Sequence, residues 1–321
     1  MATFTAPVSH ASVEPQLGRN YELVGDRIDQ ELAEQFDPTM GSLVVRLADL
    51  AGSGTDTTRV RRTGGWGWDN VFAAMGGETD AIVASAISGA FDALSIARYG
   101  LAYEETFQQA ILSDSIRLDD DYGSVESFVQ SYLALHRSLL CTTGATISTN
   151  AADSAATLDV DDMINLRALY HETEGFSGRP VVMLKPRQFS ALTASMRTET
   201  ALATSDLRFD ADQGIRANSG QVSAFLGFDI YTSNDVVASS GDDVGFSYVP
   251  GAIGYGVGGT QDMGDLEDAR AVTVPDWGIV ITTRTVGQQA YKRKDANAWL
   301  GYTLLSADVF PQFLLSSDDG V

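Results

Sequence analysis

Gly254-Tyr255-Gly256-Val257-Gly258-Gly259 spells the G-x-G-x-x-G pattern with which dinucleotide-binding proteins bring backbone close to a pyrophosphate. That chemistry needs a helix opening directly after the glycines, so that its first N–H groups receive the phosphate. A loop containing Gly and Asp, residues 260–268, follows instead. No cofactor is expected, and the glycines read as a flexible segment that permits close backbone approach. The histidines His10, His136 and His171 are scattered along the chain. His136 falls within an apolar helical stripe and reads as a packing residue; neither it nor His171 has a cysteine or histidine at ligand spacing. The single cysteine, Cys141, rules out an internal disulfide framework and a cysteine-based zinc cluster. There is no G-x-S-x-G elbow and no H-E-x-x-H, so no catalytic set is visible and no enzyme is expected. The clusters Asp119-Asp120-Asp121, Asp159-Val160-Asp161-Asp162, Asp242-Asp243 and Asp318-Asp319 lack the spacing and glycine of a calcium loop. They read as a solvated acidic face, and no metal site is expected.

One further group could bind something. Arg59, Arg61 and Arg62 stand together, followed at once by Gly64-Gly65-Trp66-Gly67-Trp68. Basic residues beside aromatics suit nucleic acid, and they equally suit a ribbon facing an acidic neighbour. Trp and Arg are the residues in which binding energy concentrates between proteins. Arg59, Arg61, Arg62, Trp66 and Trp68 are therefore read as an inter-subunit contact.

The charge balance sharpens that reading. The chain of 321 residues carries 43 acidic and 21 basic residues, a net charge of −22, and only three lysines, Lys185, Lys292 and Lys294. Such a surface repels itself in dilute buffer, whereas at molar salt the screening length falls to about 3 Å and hydrated carboxylates keep the protein soluble. The composition points to a very salty environment and against tight nucleic-acid binding. No apolar run of about 18 residues and no basic start followed by an apolar stretch occurs, so neither a membrane span nor a signal peptide is indicated.

The elements that must position these groups follow from periodicity. Residues 1–56 read as an arm with short helices over 26–36 and 41–51, the second on the stripe Leu43, Val44, Leu47 and Leu50. Residues 57–105 are Gly-rich and strand-like, and their outer limbs read as a long two-stranded ribbon. An isolated ribbon is marginally stable at best, so it must lie on something else. Val125, Phe128, Val129, Tyr132, Leu135, His136 and Leu139 set a helix over 124–141, and a second is expected over 160–171, capped by Asp159. A compact α/β pattern follows. GRPVVML gives a buried strand, Pro186 opens a helix with the stripe Phe189, Leu192 and Met196, and Phe228, Ile230 and Thr232 share one face of a half-buried strand.

This order of parts, with ETDAIVASAISGAFDALSIARYGLAYEETF, SVESFVQSYLALHRSLL, GRPVVMLKPRQFSAL, GQVSAFLGFDIYTSNDV and DVGFSYVPGAIGYGV in succession, resembles the major capsid protein of tailed viruses. The resemblance implies an α+β Hong Kong 97-like capsid fold, which encapsulin shells share. It implies an N-terminal arm over 1–56, an extended E-loop β-ribbon over 57–105 and a peripheral domain over 106–156 with a long spine helix, joined by about 284–306. The axial α/β domain would take 157–283 and about 307–321. The implied function is self-assembly into hexamers and pentamers of an icosahedral shell that encloses double-stranded DNA without binding it specifically. The shell would be assembled in the host cytoplasm and leaves room for decoration, portal and scaffold proteins as further partners. The alternative is an encapsulin-like compartment enclosing a cargo enzyme. With the charge balance, the expected source is a virus of a halophilic archaeon. Some relatives weld their shells through an E-loop lysine, but residues 57–105 hold none, so that route is closed here. Because the chain begins at Met1, no large scaffolding segment is expected to have been cut from its N-terminus.

Overall fold

The computed structural model describes residues 14–36, 40–50, 57–61, 91–106, 122–153, 155–172, 179–198, 221–239, 241–258, 269–286, 291–305 and 310–318. Its frame is one long helix lying across two sheets. This helix, α2 (Tyr122–Gly144), follows the N-terminal helix α1 (Glu14–Phe36) and is about 34 Å long at 1.5 Å per residue. Val125, Val129, Tyr132, Leu133, His136 and Leu140 are buried along it at steps of one to four, the apolar face that the sequence predicts. Gln130 Nε2 donates to Gln35 Oε1 at 2.7 Å and ties α2 to α1.

The first sheet packs one face against α1 and the front of α2. Its strand order is β1 (Val45–Leu50), β10 (Ile253–Gly258), β13 (Tyr291–Leu304), β12 (Ile279–Val286), β11 (Ala269–Val274), and β4 (Ala97–Thr106) pairs with β13 from the opposite edge. Between β11 and β12, Pro275–Trp277 forms a 3-10 turn closed by Gly278 in the left-handed region, φ 63°. The central strand β13 runs for 14 residues and holds β12 and β10 on one side and β4 on the other. Its Ala296, Ala298 and Leu300 point to the helices with Val257, Ile279 and Ile281, and all are buried.

The second sheet runs β14 (Gln312–Asp318), β9 (Asp242–Tyr248), β5 (Val181–Leu184), β7 (Phe228–Thr232), β6 (Gln221–Phe225), with the short β8 (Ala238–Ser239) against β9. It is covered on both sides. Val181, Met183, Tyr231, Phe246 and Tyr248 join the core under α2, while Val182, Leu184, Phe228, Ile230 and Leu315 face α3 (Val160–Glu172) and α4 (Pro186–Thr198). Helix α3 starts in a reciprocal cap: Asp162 N–H donates to Asp159 Oδ1 at 3.0 Å and Asp159 N–H to Asp162 Oδ2 at 3.1 Å. Helix α4 opens at Pro186, and Gln188 anchors it by donating to the Asp243 and Leu315 carbonyls and the Ser317 hydroxyl.

Four expectations change. Residues 45–50 form strand β1, parallel to β10, rather than a helix. A stripe of four apolar residues fits either element, and pairing with a strand two hundred residues away decides it. The glycine-rich 254–258 is not a flexible segment but the buried strand β10. Strand β7 is enclosed rather than half-buried, because α2 covers Tyr231. Of the expected ribbon, the described residues contain the root, where β2 (Thr57–Arg61) pairs with β3 (Phe91–Ser95), whereas 97–106 pairs with β13 instead of continuing the ribbon.

Candidate interaction surface at the ribbon

Strands β2 and β3 form a separate two-stranded antiparallel sheet, with Arg59 opposite Ala93 and Arg61 opposite Phe91. Thr57, Arg59, Ala93 and Ser95 are exposed. Only the inner side is seated: Leu94 is fully buried and Ile96 is 8% exposed. What they sit on is the face of the first sheet opposite α1 and α2, and that face is floored by glycine. A Cβ on Gly256 would lie 2.5 Å from Leu94 Cδ2, and one on Gly258 3.1 Å from Ile96 Cδ1. One on Gly301 would run into the Ser95 carbonyl, and one on Gly254 into the Leu47 side chain. Leu47 sits where the β1–β10 register shifts, an irregularity of the bulge type. Thr303 Oγ1 donates to the Ala93 carbonyl at 3.1 Å and pins the crossing.

The structure thus places Arg59 and Arg61 on one outward ribbon strand. Arg62, Trp66 and Trp68 lie outside the described residues. Sequence reasoning missed the seat, though its signal was legible: Gly254, Gly256 and Gly258 alternate at the period of a strand and therefore share one face.

Among the described residues, several titratable groups are built into the packing. His136 is fully buried in a ring of Phe36, Tyr132, Tyr255 and Tyr302, with centroids 4.7–5.7 Å away. Its Nδ1 lies 2.6 Å from the Tyr302 hydroxyl, and burial pushes its pKa down to about 3. Trp277 closes the cluster, accepting from the Tyr132 hydroxyl through its carbonyl at 2.7 Å and donating from Nε1 to Asp29 at 2.8 Å. His171 is exposed, with Arg167 Nε donating to its Nε2 at 3.4 Å. The fully buried Asp243 carboxylate faces Lys185 Nζ at 3.0 Å and Arg187 Nε at 3.8 Å, as charge contacts rather than aligned hydrogen bonds. Among the described residues no group of three or more His, Cys, Asp or Glu is placed to hold a metal ion. No helix among them is long and apolar enough to cross a membrane.

No protein-family model and no curated protein matches the chain. Solved structures do. The capsid asymmetric unit of cyanophage Pam1 superposes with a TM-score of 0.54 at 11% identity, covering 89% of this chain and 93% of that one. A chain from Mycobacterium phage Che8 gives 0.52 at 15% identity over 87% and 90%. The holo-SrpI encapsulin complex from Synechococcus elongatus gives 0.53 at 8% identity over 86% and 85%. The chain has the α+β Hong Kong 97-like fold.

Proposed function

We propose that this chain, built on the Hong Kong 97-like fold, is the major capsid protein of a tailed virus. Copies assemble into hexamers and pentamers of an icosahedral shell around double-stranded DNA, without specific binding of that DNA. The observation that carries this reading is the ribbon root. Among the described residues, this two-stranded sheet exposes Thr57, Arg59, Ala93 and Ser95, while the body buries its Leu94 and the following Ile96. A two-stranded ribbon gains stability by packing on other surfaces, and a sister copy supplies them. On this reading residues 1–56 are the N-terminal arm and 57–105 the E-loop. The peripheral domain, with α2 as spine helix, takes 106–156 and about 284–306, and the axial domain 157–283 and about 307–321. On this division, the first sheet draws strands from all four of these parts: β1 from the arm, β4 from the E-loop, β13 from the peripheral domain, and β10 and β11 from the axial domain. The capsid is the protein's location, with assembly in the host cytoplasm; decoration, portal and scaffold proteins are the further partners that this reading admits. A net charge of −22 with three lysines supports a host from high salt, a halophilic archaeon.

Electron microscopy of the protein purified in molar salt tests the proposal. Closed icosahedral particles are expected, and they should loosen as salt falls to the millimolar range, because unscreened carboxylates then repel across subunit contacts. A monodisperse monomer in molar salt would sink it. The likeness to an encapsulin favours one second reading, a compartment around a cargo enzyme. Nucleic acid inside native particles supports the virus, and a single enclosed protein supports the compartment.

Arg59, Arg61, Arg62, Trp66 and Trp68 form the proposed contact on the neighbour. Replacing both Trp66 and Trp68 by alanine should cut the yield of closed shells at least tenfold while subunit solubility is retained, since aromatic anchors each contribute about 2 kcal/mol or more at an interface. Wild-type yields of shells, measured by sedimentation, would remove the two tryptophans from the contact.

A further inference from the structure

We infer that Gly256, Gly258 and Gly301 are positioning residues: together they form a floor without side chains whose depth sets the direction in which the ribbon leaves the body, and so the spacing at which neighbouring copies meet. The part about spacing rests on the shell reading above; the part about direction does not.

The demand for glycine comes from one side only. On the helix-facing side, these same strands carry Tyr255, Val257, Leu300 and Tyr302, all large. Facing the ribbon, Gly256, Gly258 and Gly301 lie under Leu94, Ile96 and Ser95, Gly254 beside them leaves room for Leu47 of the neighbouring β1, and Thr303 uses its hydroxyl to hold the ribbon backbone. Glycine in a strand interior weakens it and marks close approach of another backbone. Four of them on one face exceed what the sheet itself needs. Leu94 is fully buried in its notch, with Gly256 below it and the Ala48 carbonyl 3.2 Å from the place a Cβ would occupy. A methyl there would press on the end of the fully buried Leu94 side chain, and one on Gly301 would meet backbone that no rotamer change moves, the Ser95 carbonyl carbon at 2.8 Å and Ile96 Cα at 3.1 Å, so β3 is displaced. The five-residue root is ~16 Å long, and a tilt of about 10° moves its outer end by roughly 3 Å. That displacement is large beside the tolerance of a packed interface.

Cys141 is fully buried, and burial is the main cause pushing its thiol up to about 12, so engineered cysteines can be labelled selectively. Spin labels on Arg59→Cys in the ribbon and Arg137→Cys on the exposed side of α2 report the ribbon's direction in the dissociated subunit by their distance distribution. Gly256→Ala should displace the mean distance, and adding Leu94→Ala should bring it back. Leu94→Ala alone should broaden the distribution without displacing it. In assembled material, Gly256→Ala should change particle diameter or leave shells open, and the double variant should restore closure. A merely destabilising glycine substitution would lower the melting temperature without that reversal. Should Gly256→Ala fail to fold, Gly258→Ala, meeting only the end of Ile96 and the Leu50 Cβ, gives the same reading with a smaller shift. A parental distance distribution in whichever alanine variant folds overturns the inference. Absence of shells from the parent protein would defeat the capsid reading and leave the distance result standing.

Discussion

Lys185→Met should lower the stability of the folded chain by about 3 kcal/mol, the cost of removing a largely buried charge from its buried partner. Asp243 is wholly buried, and among the described residues Lys185 Nζ at 3.0 Å is its nearest positive charge; Arg187 stands off at 3.8 Å and is half exposed. Taking away one partner of a buried ion pair leaves a charge that the interior cannot solvate, at a cost of about 3–5 kcal/mol. The remaining guanidinium holds the loss near the lower end. Against a usual total of about 5–15 kcal/mol that is a large fraction. Molar salt should not rescue it, because screening acts on solvent-exposed charges and barely on buried ones. Asp243→Asn should cost less, since Lys185 can turn its ammonium to water, and the double variant should be more stable than the sum of the two losses predicts. Denaturant unfolding of the four proteins in molar salt measures the cycle. Strict additivity would show that the pair is not coupled. In a chain with three lysines, placing one here makes this contact a selective use of a scarce residue.

Acidification should destabilise the subunit through His136. Its folded-state pKa, pushed down by burial to about 3, lies below the ordinary value of 6.5. The unfolded chain therefore binds a proton that the folded chain refuses between those values. Stability is fully present above pH 6.5 and is lost as pH falls toward 3, at about 1.4 kcal/mol per unit for this one group. No carboxylate shares its ring of Phe36, Tyr132, Tyr255 and Tyr302, and burial raises the pKa of Tyr132 and Tyr302, so those hydroxyls stay neutral throughout. Between pH 6.5 and 4.5 the loss should reach on the order of 2–3 kcal/mol. His136→Gln should start lower at neutral pH, having lost ring packing, and then run flatter. Parallel curves for parent and variant across that interval, at fixed salt, would exclude His136 as the source.

The elements with a strong internal period were legible in the sequence. Val125 to Leu140 gave α2, the Asp159 cap gave α3, and Pro186 with the preceding apolar run gave β5 and α4, because each is decided by neighbours within a few turns. What failed was decided at long range. Leu43, Val44, Leu47 and Leu50 satisfy a helix until Gly254–Gly258 is available as a parallel partner. Tyr231 lies on the face of β7 opposite Phe228 and Ile230, and it is buried because the core under α2 includes that face. The candidate contact was half legible: Arg59 and Arg61 alternate on a strand as expected, but the glycine floor was seen only as permission for close approach, with no indication of what approaches. Residues that hold two remote segments together, such as Gly301 under Ser95 or Trp277 between Asp29 and Tyr132, carry no local signature of it.

The arrangement of β4 on β13 has a mechanical consequence. The chain runs from β3 through Ile96 directly into β4, and β4 is stitched to β13 across ten consecutive residue pairs. A pull on the ribbon along β4 loads those rungs together in shear instead of peeling them apart one by one. The chain is thus braced against tension on its ribbon, and a container made of it would withstand outward pressure by sharing the strain among many weak bonds at once.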